Sequence, residues 1–153
     1  LAAGALAPTA ENKQPQRILV VRGDEALTKM DECTRCRFGA PVVLVLAYDM
    51  TVAARHPDVT DFGTVDIAIV GDHMSLAAEE LGVHSCWVGL IDPPELRRQF
   101  GIPQTYKIVA VMPLGYPSER SRPSRLHRMR QGVQKTVFFD SYATGEDSDA
   151  LDA

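Results

Sequence analysis

This chain has few cysteines, no long apolar run and no surplus of basic residues. Three cysteines in 153 residues are too few, and odd in number, for a disulfide framework. A reducing, cytoplasmic setting is therefore the expectation. The longest strongly apolar run, Pro41 to Ala47, falls far short of the ~20 residues that cross a bilayer, so a membrane partner is not expected. A net charge of −4 argues against general nucleic-acid binding. There is no G-x-G-x-x-G, no P-loop and no G-x-S-x-G nucleophile turn. His56, His73, His84 and His127 show no metal-ligand spacing. The C-x-x-C pair Cys33 and Cys36 lacks a second pair for zinc, with only Cys86 and His84 left over. That pair closes a helix candidate instead of opening one after a strand, so structural cysteines are expected rather than thiol redox chemistry. Repeats, heptads and low-complexity linkers are absent. The start Leu1-Ala2-Ala3-Gly4-Ala5-Leu6 has neither a methionine nor the basic residues that precede a signal peptide's apolar stretch. If this chain is an enzyme, a bound cofactor is expected to carry its chemistry.

What is present is ordinary for one globular domain: 45% apolar and 24% charged residues, at a length that buries a core without staples. Arg17 to Val21 reads as a strand stopped by Gly23-Asp24, and Glu25 to Asp31 as a short helix. Val42 to Ala47 is apolar without interruption, which suits a strand buried on both faces. His56 to Gly63 is polar and turn-rich. Val65 to Leu81 reads as the longest helix, with Thr64 as N-cap and Gly82 as stop. Its apolar stripe is Ile67, Val70, Met74, Ala77, Ala78 and Leu81, with Ala68 and Ile69 widening it. A helix apolar over so much of its girth needs cover on several sides, in part from a second subunit. Ser85 to Leu90 is a short extended segment. Asp92-Pro93-Pro94-Glu95 opens a helix that Gly101 ends, with Asp92 as cap and Glu95 completing a capping box. Tyr106 to Leu114 is a second buried strand. Strands and helices alternating around one sheet make a mixed α and β class.

Charge is uneven along the chain. Six of the 16 basic residues fall between Arg120 and Lys135, and the segment after Phe139 carries five acids and no base. A solvated basic loop and a frayed acidic end over 141–153 is one reading; a phosphate held by one or two of the arginines is the other.

Three segments together resemble the nitroreductase family. Ala7-Pro8-Thr9-Ala10-Glu11-Asn12-Lys13-Gln14-Pro15-Gln16 is similar to its A-P-[ST]-x-x-N-x-Q-P-W element, with Gln16 where tryptophan is usual. Ala77 to Val83 running into Ser85-Cys86-Trp87-Val88-Gly89 resembles its L-x-A-x-x-L-G-L-x-x-x-W-[IV]-G pattern. Phe100-Gly101-Ile102-Pro103, an apolar strand and Leu114-Gly115-Tyr116-Pro117 resemble its G-I-P … G-y-P ending. The resemblance implies an α+β fold in three α/β/α layers, with a central mixed, mainly antiparallel sheet, over residues 1–140. It also implies a homodimer binding flavin mononucleotide (FMN) at the subunit interface. NAD(P)H would reduce the flavin, and a small acceptor such as a nitroaromatic or quinone would then take the electrons, in ping-pong order.

Carried over position by position, the same resemblance implies the site. Pro8, Thr9, Asn12 and Gln14 line the flavin of the partner subunit; alternatively Thr9 and Asn12 simply cap a turn. Trp87, Val88, Gly89 and Leu90 run past the flavin ring, where backbone N–H groups donate to it. Arg128 and Arg130 hold the FMN phosphate. No general acid or base and no metal are expected. Family members have a further helix and an R-R-S-x-R element before the first motif, so an N-terminally truncated domain is expected, with Leu1 to Leu6 as the end of a helix. The replaced tryptophan at Gln16 keeps a second expectation open: a flavin-binding or flavin-consuming relative without general reductase activity.

Overall fold

Val42 to Asp49 is built for the middle of a sheet. β-branched and leucine side chains alternate along it, and Val43 through Tyr48 are all buried. The computed structural model describes residues 1–56 and 61–142. The chain divides into two units, Leu1–Pro117 and Ser118–Ala153.

In the first unit the elements run α1 (Ala2–Leu6), β1 (Gln16–Arg22), α2 (Asp24–Cys33), β2 (Val42–Asp49), α3 (Phe62–Glu80), β3 (His84–Ser85), α4 (Pro93–Phe100) and β4 (Tyr106–Gly115). Among the described residues the sheet has four strands in the order β1-β2-β4-β3. It is expected to be mixed and mainly antiparallel; every pairing among the described residues is antiparallel. β1 pairs β2 from Gln16↔Tyr48 to Arg22↔Val42, and β2 pairs β4 from Val42↔Leu114 to Asp49↔Tyr106. A bulge leaves Val109 unmatched between Leu46↔Ala110 and Ala47↔Ile108. Ile108 and Val111 can therefore face one layer while Ala110 and Met112 face the other.

The alternation of β2 sorts the core into two clusters. Val43, Val45 and Ala47 pack with Met30 and Cys33 of α2 and Leu96 of α4. Leu44, Leu46 and Tyr48 pack with Ala7 and with Ile67, Val70 and Met74 of α3. This is the three-layer α/β/α arrangement.

α3 begins earlier than the sequence suggests. Its N-cap is Asp61, not Thr64: the Asp61 carboxylate accepts the Thr64 N–H at 3.2 Å and the Thr64 hydroxyl at 2.9 Å. Gly63 reads as a turn residue but is a packing residue. A Cβ there would stand 2.2 Å from the Tyr48 ring. The Tyr48 hydroxyl in turn donates to Asp61 at 2.5 Å, and Lys107 forms an ion pair with the same carboxylate. Ile67, Val70 and Met74 of the expected stripe are buried, whereas Leu81 lies past the last turn and is 75% exposed. Gly82 follows with φ +72°, the left-handed stop.

Asp92 caps α4 by accepting the Glu95 N–H at 3.0 Å. The reciprocal half of the capping box does not form. The Asp92 N–H donates to Cys33 O at 2.9 Å, and the Glu95 carboxylate turns to Arg98 and Gln99.

The second unit contributes short 3₁₀ turns at Arg125–Arg128 and Val133–Lys135, and its described residues, 118–142, are all exposed. The expected acidic tail falls mostly on 143–153, and part of the turn-rich stretch on 57–60; both lie outside the described residues. Among the described residues no helix is long and apolar enough to cross a membrane.

Two outcomes follow from the α3 N-terminus. Gly63→Ala gains ~1 kcal/mol of helix propensity but drives a methyl into a buried ring; we expect a net loss of about 1–3 kcal/mol in denaturant unfolding. For Asp61, burial opposes ionisation, but hydrogen bonds from Lys107, Tyr48 and Thr64 outweigh it and hold the carboxyl well below its ordinary value of 3.8. A depressed carboxylate stabilises the fold above its unfolded value and loses that contribution as pH falls. The stability gap between wild type and Asp61→Asn should therefore be full near neutrality and narrow below about pH 4, measured by unfolding across pH.

Candidate functional site

The segment ahead of β1 is a polar loop held from both ends. Pro8 and Asn12 are exposed, Thr9 is half-buried, and the loop exits through the buried Pro15. The Thr9 hydroxyl accepts the Gln14 N–H at 3.0 Å, and the Gln14 side-chain amide donates to Asn12 Oδ1 at 3.2 Å. Thr9, Asn12 and Gln14 are thus brought together. Glu11, Asn12 and Gln14 all sit in the left-handed region, at φ 51°, 54° and 50°. Asparagine tolerates that region; the other two are strained there. The loop is fixed to α3 through Asp66, which is 2% exposed and takes the Ala10 N–H on Oδ1 at 2.8 Å. Among the described residues Asp66 Oδ2 has no hydrogen-bond partner. At the exit Arg17 donates to Gln16 O at 2.9 Å and pairs with Asp49 at 3.3 Å.

Trp87 to Leu90 lies at the other edge of the sheet. β3 is two residues long; beyond it the Cys86 N–H bonds Pro113 O at 3.3 Å, and Val88 forms a bridge to β4, its N–H and C=O both bonding Val111 at 3.0 Å. Successive N–H groups of an extended chain point to opposite sides. With Val88 facing β4, the N–H groups of Trp87 and Gly89 face the open edge. The Trp87 ring lies against α3 at Gly71, where a Cβ would be 2.4 Å from Cη2; the ring is 40% exposed. Among the described residues other than its chain neighbours, nothing stands within 4 Å of the position a Cβ would take on Gly89. The strip thus presents outward backbone donors beside an aromatic ring and an open space.

One protomer does not bring the loop and the strip together. They flank opposite edges of the sheet, with β2 and β4 between. They also meet α3 at Asp66 and Gly71, five residues apart and so about 140° around the helix. Arg128 and Arg130 belong to the second unit. Both are exposed there, and Arg130 Nη1 donates to Leu126 O and Met129 O at 3.0 and 2.9 Å.

Sequence reasoning missed several residues that shape this region: Asp66, Gly71 and Thr34. A glycine inside the long helix, Gly71, was the available signal for one of them, since it marks a ring packed on the helix. Cys33 lies in the buried core cluster, with Cys36 packed against it. Burial, followed by the nearby carboxylates of Glu95, Asp92 and Glu32, pushes the Cys33 thiol up to about 11, so it is a protonated core side chain at neutral pH. Among the described residues no cluster of three or more His, Cys, Asp or Glu is placed to hold a metal.

Comparison with known proteins gives a consistent result. The nitroreductase family model matches residues 36–116. An Archaeoglobus fulgidus protein named "Putative NADH dehydrogenase/NAD(P)H nitroreductase" is 34% identical over 146 residues, covering 84% of this chain and 81% of that protein. The crystal structure of a nitroreductase family protein from Clostridium difficile superposes with a TM-score of 0.83 at 29% identity, covering 92% of this chain and 82% of its own. A structure from Exiguobacterium sibiricum in complex with FMN has a TM-score of 0.76 at 17% identity, covering 90% of this chain and 82% of its own, a likeness of fold. With the three-layer fold in place, the family match across more than half of the chain and a relative at this identity assign the chain to the nitroreductase family, a family of oxidoreductases.

Proposed function

We propose that this chain is an FMN-dependent oxidoreductase that takes electrons from NAD(P)H and passes them to a nitroaromatic, quinone or similar small acceptor in ping-pong order. The observation that carries the reading is the open strip Trp87–Leu90. Its outward N–H groups match the carbonyl and ring-nitrogen acceptors of a flavin, and the space at Gly89 admits a flat ring close to the backbone. FMN, when bound, supplies the hydride chemistry. Trp87, Val88, Gly89 and Leu90 orient it and offer donors where electron density rises on reduction.

The loop residues Pro8, Thr9, Asn12 and Gln14 serve the cofactor of a partner subunit. What supports a homodimer is the separation described above: a single flavin touched by both half-sites needs two copies. Arg128 and Arg130 are assigned to the phosphate by their match to the family's basic C-terminal pair. Reading without reductase activity has one observation in its favour: Gln16, where the family usually has tryptophan, buries an amide oxygen that has no partner among the described residues.

Purified protein should take up FMN, turn yellow and oxidise NAD(P)H with a quinone or nitroaromatic, giving parallel lines in double-reciprocal plots. A colourless protein indifferent to added FMN overturns the reading; FMN uptake with no turnover across a panel of acceptors selects the second one. Arg130→Ala should weaken FMN binding by about 1.5–3 kcal/mol, the loss of a charge-assisted phosphate contact, in a fluorescence titration. Unchanged affinity removes Arg130 from the phosphate.

A further inference from the structure

The strip that faces the proposed flavin has weak support from the sheet. Beyond the Val88–Val111 bridge, Gly89 and Leu90 have left the β4 ladder. What holds them is the end of α2. Thr34 caps that helix in an extended conformation and is 6% exposed. Its hydroxyl accepts the Cys36 N–H at 3.1 Å and donates to Leu90 O at 2.7 Å. The acceptor side of the hydroxyl is thus occupied by Cys36, which aims its proton at Leu90. One residue away, the Asp92 N–H donates to Cys33 O at 2.9 Å.

These bonds fix a pair of peptide planes. In the Leu90–Ile91 peptide, the carbonyl is held by Thr34 and the N–H donates to Gly89 O at 3.1 Å. Gly89 O is the carbonyl of the Gly89–Leu90 peptide, whose other end is the Leu90 N–H. A trans peptide points its C=O and N–H in opposite directions, so holding Gly89 O sets the direction of the Leu90 N–H. Leu90 is 55% exposed. α2 is itself immobilised by Met30 and Cys33, both buried in the core cluster under the sheet.

We propose that Thr34 is a positioning residue for the flavin site: its hydroxyl, acting through the Leu90 carbonyl, fixes the Gly89–Leu90 end of the strip that faces the cofactor ring. The inference rests on the FMN reading above. Its role is distinct from packing, because the Thr34 methyl and the hydroxyl can be separated by substitution. Thr34→Val keeps the volume and removes the bond, leaving Leu90 O and the Cys36 N–H without it. Thr34→Ser keeps the hydroxyl.

The test compares wild type, T34V and T34S by two measurements. In FMN-free protein, amide hydrogen exchange at Ile91 should quicken in T34V relative to core amides of β2, and recover in T34S. In titrations with FMN, T34V should bind about 5- to 30-fold more weakly and shift the visible flavin bands, whereas T34S should stay within about twofold of wild type in affinity and match its spectrum. T34V with wild-type exchange at Ile91, or with wild-type FMN affinity and spectrum, overturns the proposal even if its melting temperature falls. Loss in T34S as large as in T34V also overturns it. Wild-type protein that takes up no FMN overturns the flavin reading itself, before any variant is compared.

Discussion

The fold depends on one constraint: β2 is buried on both faces. Its six consecutive buried residues, Val43 to Tyr48, cannot meet water on either side, so the sheet needs a helical layer on each face. α2 and α4 supply one layer and α3 with Ala7 the other. The strand's alternation then dictates what each layer must offer. Tyr48 is the largest side chain on its face, and α3 meets it with a glycine, Gly63, and with a cap carboxylate, Asp61, that binds its hydroxyl. Cap, ring and Lys107 form one unit tying the start of α3 to the ends of β2 and β4. The same bargain of a small helix residue against a large side chain recurs at Gly71 against Trp87 and at Gly4 against Met74.

With both faces covered, only the edges of the sheet are left for binding. An exposed edge is a hazard because its N–H and C=O groups invite pairing. This chain keeps the hazard small: β3 has two residues, and beyond it the Cys86 N–H bonds Pro113 O and Val88 bridges Val111 before the segment turns away. What remains is a short strip of directed amides, too brief to template a strand and well shaped for a flat polar ring. Its rigidity comes from other layers. Trp87 is seated on α3, Val88 on β4 and Leu90 on the end of α2, so three elements distant in sequence fix four consecutive residues. Donors held in place before a ligand arrives need little reorganisation when charge develops on it.

Much of the fold was legible because its signals are local. The runs at Val42 and Tyr106 announced buried strands, and Asp92-Pro93 announced α4. Helix stops at Gly82 and Gly101 were equally plain, as both adopt positive φ. The errors occurred where a distant contact decided the outcome. Thr64 is a sound local choice for a cap, but Asp61 serves because Tyr48 and Lys107 also need its carboxylate. Asp92 and Glu95 have the spacing of a capping box, but Cys33 O had already taken the Asp92 N–H. Candidate site residues were found by resemblance, and nothing in their own periodicity marks them. Thr34 was invisible for the same reason: its partner Leu90 lies 56 residues away.

α3 carries the last step. Its buried residues Asp66, Ile67, Val70, Gly71 and Met74 fall on the side turned to the sheet and α1. Val65 and Leu76 are eleven residues apart, three turns, and so share the opposite flank; they are 53% and 65% exposed. The helix thus has one apolar side against its own core and two large apolar side chains among the polar residues of its far side. Two further features lack a purpose inside one protomer: a strained polar loop at one edge of the sheet and an open donor strip at the other. In the homodimer proposed above, a second copy laid against the outer flank of α3 would cover Val65 and Leu76, and the loop of one chain would serve the strip of the other. The apolar flank and the divided site are then consequences of the same geometry, since the helix that separates the two half-sites within a chain is also the surface on which two chains would join.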